Sequence, residues 1–499
     1  MKQFARSALA PYAIYLISLI AFGMRLFHLG QPKGFIFDEL YYVNGAQDYL
    51  KYGVEVDGLK PEFIVHPPVG KWAIALGIKL FGDQEFGWRI ASAFFGSLLI
   101  LIVGLIAKEL FKSDSWATLA SGLIALDGLA LVHSRTALLD LFLTFFVALA
   151  LWAWLKNWHW LAGLAFGLAT ATKWSGLYFL VLFALITFYR ISNNYSGRQL
   201  IKPILKFPVQ YGLLPVATYF ASWIGWFRSD LGWDRNWSPS ALKSFWHYHS
   251  EMLGFHTGLV EKHSYQANPW SWVVQGRPTS FFYGTPKGCG SDSCSQEVLA
   301  LGTPLLWWFG TIAIFFVFGI LIRNFLNRRY EFAPIFIWAG LAAGYLPWFL
   351  FQKRTVFSFY AIVFEPFLIF ALVYCAKYLM ESRVRKEISQ ALITVAIVLI
   401  ALNFIYFYPI FTGEVINAAY RGKRIHLLGS QTDLAATLLS QLNINHDQFK
   451  WSKDLLNPQS IPFAFYSFDN GFGWVNSNQT VVQDNINNKI IFNLSLIHI

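Results

Sequence analysis

The sequence predicts an all-α polytopic membrane protein. Three observations carry that expectation. Only 13% of the 499 residues are charged, about half of the roughly 25% that a soluble domain uses to cover its surface. The chain is 56% hydrophobic, and its apolar residues gather in runs near the 17 to 25 residues that cross a bilayer as a helix. Its 48 Phe, 23 Tyr and 21 Trp suit a chain with much surface in lipid and many rings at the headgroup level.

About eleven apolar runs qualify, near 9–29, 88–107, 115–133, 136–155, 158–172, 174–189, 208–226, 299–322, 331–351, 356–379 and 388–410. Lys and Arg in the short loops set their direction, because cytoplasmic loops carry the excess of these residues. Lys2 and Arg6 place the N-terminus inside, followed by inside loops with Lys108 and Lys112, Lys156, Arg190 to Lys206, Arg323 to Arg329, and Lys377 to Lys386. Long loops at about 30–87 and 227–298, and the tail from 411 to 499, then lie outside. The first run is too long for a signal-peptide core, so it reads as a span. The domain reading is a membrane domain over 1–410 and an extracytoplasmic tail of unknown fold over 411–499. The formal charge of +11 belongs to those inside loops and not to nucleic-acid binding. Three cysteines exclude a disulfide scaffold or a Cys-based metal cluster. Cys289 and Cys294, in "CGSDSC", are candidates for a local disulfide in the long outer loop, while Cys375 lies in an apolar run.

The first outer loop contains "GFIFDELYY", "HPPVGKW" and "KWAIALGIKLFG". The last has apolar residues at helical spacing with Lys71 and Lys79 at its edges, which predicts a helix lying in the interface and not crossing it. Pro67 and Pro68 fix the start of that helix. A carboxylate beside lipid is costly unless it meets water, a partner or a function. For Asp38 and Glu39 the residues leave two roles open: capping or ion pairing, or general-base chemistry. Cations gather at the outer span ends: Arg89 in "FGWRIASAFFG", Arg135 in "HSRTALLD" followed by Asp140, Lys173 in "ATATKWSGLYF", and Lys353 with Arg354 in "QKRTVFSFYAIV". Each either snorkels to the interface or helps bind an anionic headgroup. Tyr41 and His66 are candidates for contact with an acceptor or sugar. The histidines 247, 249, 256 and 263 do not form a metal signature, and no metal is expected.

The motifs "FDELYY", "HPPVGKW", "WRIASAFFG", "SRTALLDLFLTFF" and "GLATATKWSGLYF", in this order and spacing, resemble the bacterial protein O-mannosyltransferases. The resemblance runs from about residue 10 to 410 and continues through "YHSEMLGFHTGLVEKHSYQANPWSWVVQGRPTSFFY" to "LGTPLLWW". It implies a glycosyltransferase bundle of the GT-C type with about eleven helices. It also implies an inverting transfer of mannose from a polyprenyl-phosphate mannose to Ser or Thr hydroxyls of secreted or membrane proteins. The enzyme is then a multi-pass protein of the bacterial plasma membrane, with a cytoplasmic N-terminus and an extracytoplasmic active site. Its partners are the lipid-linked donor, acceptor proteins, membrane lipid and the secretion translocon, with no separate cofactor. Asp38 matches the family's catalytic aspartate and Glu39 its neighbour. Arg89, Arg135, Lys173 and Arg354 are the expected donor-phosphate contacts. The alternatives are a GT-C transferase of another lipid-linked sugar, which acts on a lipid or glycan, and a multi-span transporter.

Overall fold

A computed structural model of the chain describes residues 10–287, 294–417, 430, 433–441, 445, 452–455, 457, 459–468, 470–476 and 478–495. It divides into two compact units, Met1–Gly284 with Gln296–Val415, and Thr285–Ser295 with Ile416–Ile499.

The first unit opens with α1 (Ala13–Leu26) and α2 (Glu39–Lys51). A ribbon of β1 (Val56–Asp57) and β2 (Lys60–Pro61) leads to α3 (Val69–Phe81). Pro68 caps α3; its locked φ suits a helix start and its missing N–H leaves nothing unpaired there. The 13 residues of α3 extend about 20 Å, short of a bilayer, as the sequence predicts. Lys79 is exposed, but Lys71 is buried and paired with Glu55, where an interface edge was expected. α3 lies against α4 (Glu85–Phe111), and a Cβ at Gly77 would come within 2.5 Å of the Gly87 carbonyl oxygen. Only glycine permits that approach.

The single span expected at 115–133 is two helices, α5 (Asp114–Ala125) and α6 (Gly128–His133). Asp127 makes the break. Its carboxylate caps α6 by accepting from the N–H groups of Leu129 at 2.8 Å and Ala130 at 3.2 Å. Its second oxygen accepts from Thr303 N at 2.9 Å and Trp307 Nε1 at 2.8 Å, so a buried polar group is fully matched across the bundle. α7 (Leu139–Leu155) is apolar on every side and almost wholly buried, the signature of a central helix. α8 (His159–Thr170) and α9 (Gly176–Asn194) flank a tight turn. The run at 208–226 is also broken. α10 (Arg198–Pro208) passes into a π-helical turn, then α11 (Leu214–Ser222) and α12 (Ile224–Arg228), with Pro208 and Pro215 removing backbone donors there.

In the long loop, α13 (Ala241–Gly258) precedes β3 (Thr279–Gly284), which pairs antiparallel with β4 (Cys294–Ala300) from Thr279↔Ala300 to Gly284↔Gln296. α14 (Pro304–Leu326), α15 (Phe332–Gly344), two 3-10 turns, α16 (Glu365–Glu381) and α17 (Lys386–Thr412) follow. Among the described residues, five helical segments are long and apolar enough to cross a membrane: Glu85–Phe111, Gly176–Asn194, Pro304–Leu326, Phe332–Phe351 and Lys386–Thr412. The chain is thus a multi-pass, mostly helical membrane protein.

In the second unit, β5 (Ile416–Asn417) pairs with Cys294 and Ser295 at the start of β4. α18 (Asp433–Gln441) precedes an antiparallel meander of β6 (Phe463–Phe468), β7 (Gly471–Asn476), β8 (Gln479–Asp484) and β9 (Lys489–Ser495). Lys453 links Asp433, at 2.6 Å, to the ring of Phe463, which stacks on Trp474. These strands correct the all-α expectation. Cys294 is disulfide-bonded and Cys375 is a free thiol, while Cys289 lies outside the described residues.

Candidate functional site

Asp38 stands directly before α2, where its carbonyl accepts from the N–H groups of Tyr41 at 3.0 Å and Tyr42 at 3.1 Å. Its side chain makes no cap bond, so the capping role left open by the sequence is not adopted. The half-buried carboxylate instead accepts from the Tyr42 hydroxyl at 3.4 Å. Burial raises its pKa from the ordinary value to about 6, with the nearby charge of Lys173 acting in the opposite sense.

Lys173 occupies the tight turn between α8 and α9, and its Nζ donates to both oxygens of Asp140, at 2.9 and 2.8 Å. Asp140 sits in the first turn of α7, where the helix dipole favours a carboxylate. A Lys ammonium has three donors, so one remains after Asp140 is served. The Nζ lies 5.1 Å from the centroid of the Tyr360 ring.

Beyond Lys173 is a cavity of about 150 Å³, lined in part by His66, Asp140, Lys173, Trp174, His256, Arg354 and Tyr360. The tautomer of His256 follows from its partners. Nε2 is 2.7 Å from the Val65 carbonyl and therefore carries the proton, leaving Nδ1 to accept from Arg354 Nη2 at 3.3 Å. Burial, then the Arg354 charge, lowers the His256 pKa to about 4. Burial, then Lys173, lowers His66 well below its ordinary value. At neutral pH two uncharged imidazoles, with ring centroids 5.3 Å apart, thus line the cavity. Arg354 is different: its Nε is buried with no hydrogen-bond partner among the described residues.

The other expected cations face elsewhere. Arg89 is fully buried, and its five N–H groups go to Glu39 Oε1 and Oε2, both at 2.8 Å, and to the carbonyls of Leu29, Pro32 and Gly34. That is the whole donor capacity of a guanidinium, which leaves none for a donor phosphate. Glu39 is saturated in turn. Besides Arg89, Oε2 accepts from Ile36 N at 3.0 Å and Oε1 from Ala137 N at 2.9 Å. With each oxygen accepting twice, Glu39 has little capacity left to take a proton and is placed to orient its neighbours. Arg135 is buried and donates to the carbonyls of Arg25, Phe27 and His28 at the end of α1, where a cation complements the helix dipole. Tyr41 is 65% exposed; Tyr42, one residue on, is buried and donates its hydroxyl to Asp38. His66 lines the cavity.

The sequence did not single out Tyr42 or Tyr360, and named His256 only among the loop histidines. Tyr42 lies four residues after Asp38, one helical turn on the same face. His249 and His256 are seven apart in α13, also on one face, and both approach the Trp174 ring, at 5.9 and 5.7 Å. Nothing local marked Tyr360.

A family profile described as dolichyl-phosphate-mannose-protein mannosyltransferase matches residues 15–220, and one for the C-terminal four-transmembrane region of protein-O-mannosyltransferase matches 241–429. The polyprenol-phosphate-mannose–protein mannosyltransferase of Mycobacterium tuberculosis is 30% identical over 81% of this chain and 88% of its own length. That of Mycolicibacterium smegmatis is 31% identical over 81% and 89%. The structure of an S. cerevisiae protein O-mannosyltransferase complex bound to the sugar donor superposes with a TM-score of 0.71 at 15% identity, covering 82% of this chain and 91% of that one. At that identity the likeness is one of fold.

Proposed function

This chain belongs to the protein O-mannosyltransferase family, and from that premise we propose that Asp38, Lys173 and Arg354 carry its chemistry. The enzyme transfers mannose from a polyprenyl-phosphate mannose to proteins, within a GT-C type membrane fold. Asp38 takes the proton of a Ser or Thr hydroxyl while that oxygen attacks the anomeric carbon. The bond from that carbon to the phosphate oxygen breaks, and the polyprenyl phosphate leaves with the electron pair. One base suffices for this inverting displacement. Cations that strengthen their hold on the phosphate as its charge grows lower the barrier. Lys173 and Arg354 fill that role, while Glu39 and Arg89 hold Asp38 at the membrane edge. The neutral imidazole of His256 fixes the Arg354 guanidinium without competing with it for charge, and His66 contacts sugar or acceptor. No separate cofactor enters this scheme.

One observation carries the reading: the uncapped carboxylate of Asp38 feels the charge of Lys173, which lines a cleft together with Arg354, and both cations keep donors to spare. The finer placement belongs to the same proposal: about eleven spans, a bacterial plasma membrane, a cytoplasmic N-terminus, an extracytoplasmic cleft and delivery of acceptors from the translocon. The loop pattern of Lys and Arg supports it. Transfer of another sugar and transport are not favoured, because the relatives similar over four-fifths of the chain are named for mannose transfer to protein.

The test uses purified full-length protein in nanodiscs, radiolabelled polyprenyl-phosphate mannose and a Ser/Thr-rich peptide. Asp38→Asn is expected to lower transfer by roughly 10²- to 10⁴-fold while donor binding persists. Equal transfer by parent and variant would remove Asp38 from the mechanism.

A further inference from the structure

A second cavity lies at the other end of α9. The helix runs 19 residues from Gly176, beside Lys173, to Asn194, about 28 Å at 1.5 Å per residue. It therefore spans the hydrocarbon layer, and the second cavity opens at the leaflet opposite the catalytic cleft. The cavity is a trough of about 1420 Å³ between the end of α9, the α7–α8 turn and α10. Four cations line it, Arg190, Arg198, Lys202 and Lys206, and the lining contains no Asp or Glu. Among the described residues none of the four is within ion-pair distance of a carboxylate. The Arg190 guanidinium is held over the Trp154 ring at 4.4 Å and the Phe332 ring at 4.9 Å, an arrangement that fixes its position and leaves its charge in place.

We propose that this trough binds the headgroups of anionic glycerophospholipids. α10 has the build of an interfacial helix. Arg198, Lys202 and Lys206 recur every fourth residue and form one basic stripe. Beside that stripe, Ile201 and Leu205 are 54% and 65% exposed, an apolar edge for acyl chains. Such a helix lies in the headgroup plane, and clustered Lys and Arg on it attract anionic lipid. Trp158, Trp160 and Tyr195 add rings suited to that depth. The three stripe cations span about 12 Å, wider than one phosphate and suited to a row of headgroups rather than to a single polyprenyl phosphate.

The test titrates the detergent-solubilised full chain with phosphatidylglycerol, phosphatidylcholine and polyprenyl phosphate, reading bound lipid by native mass spectrometry. Phosphatidylglycerol is expected to bind in preference to phosphatidylcholine. A surface cation contributes about fivefold to such binding, so Lys202→Gln with Lys206→Gln should weaken it by roughly 25-fold. The charge-conserving pair Lys202→Arg with Lys206→Arg should retain it, which separates charge from any disturbance of α10. Equal binding of the two phospholipids, unchanged phosphatidylglycerol binding in the Gln pair, or loss in the Gln pair of polyprenyl phosphate alone would each overturn the proposal. None of these outcomes bears on Asp38, which lies at the opposite leaflet.

Discussion

Two adjacent carboxylates, Asp38 and Glu39, start the same helix and meet opposite fates. Glu39 is fully buried, with each oxygen accepting twice and Arg89 committed to it. Asp38 is half-buried, with one long hydrogen bond from Tyr42 and no ion pair among the described residues. The cations divide in a similar way. Arg89 has all five donors matched and Arg135 is anchored by three backbone carbonyls, and neither lines the cavity, while Lys173 and Arg354 keep N–H groups beside it. Saturated polar networks rigidify a fold, and chemistry needs the groups that remain unsatisfied. On the proposed mechanism one half of the site is scaffold and the other is reagent, although the residue types are the same.

The comparison can be broken first at its most rigid point. Arg89→Met leaves a buried carboxylate unpaired, which costs about 3 to 5 kcal/mol. The expected result is a large fall in thermal unfolding temperature in detergent, with activity lost together with the fold. A variant that stays stable but inactive would return Arg89 to the chemistry. Arg354→Gln should behave in the opposite way: stability near that of the parent and kcat lowered by roughly 10² to 10³. An unchanged kcat would exclude Arg354 from holding the leaving phosphate.

The state of Asp38 sharpens the contrast further. A base must be ionised to accept a proton, and burial moves its pKa up to about 6. The kcat/KM for transfer should therefore be level above about pH 6 and fall about tenfold per pH unit below it. The Lys173 charge acts to lower that pKa, so Lys173→Met should shift the acid limb to higher pH as well as slow the reaction. An unmoved limb would mean that the titrating group lies elsewhere. The smallest effect is expected from Tyr42→Phe, which removes one hydrogen bond to the carboxylate. That is worth about 0.5 to 1.5 kcal/mol, and the reading is a two- to tenfold fall in kcat and a slightly higher acid limb.

Much of this was legible in the chain. Long apolar runs must be helices in lipid, since no water is there to satisfy backbone groups, and every run that the sequence marks is at least partly helical. The short helix α3 was legible from its apolar spacing and from Pro68. The breaks at Asp127 and within 208–226 were harder to read, because apolar periodicity continues through them while a cap and two prolines end the helices. The inward face of α2 was legible in principle from the spacing of Asp38 and Tyr42, though the sequence reading selected Tyr41.

By itself, then, the sequence determined the solvent of this protein, its helical plan and the short motifs that resemble a transferase of lipid-linked mannose. Composition and periodicity are local properties that the bilayer acts on directly. Only the tertiary structure decided which acid is saturated with hydrogen bonds and which cations keep donors to spare. Glu39 meets Arg89 across 50 residues and Ala137 across 98, and Arg135 meets the end of α1 across 107 to 110. An unoccupied donor is defined by everything that fails to reach it, and that depends on the packing of the whole bundle.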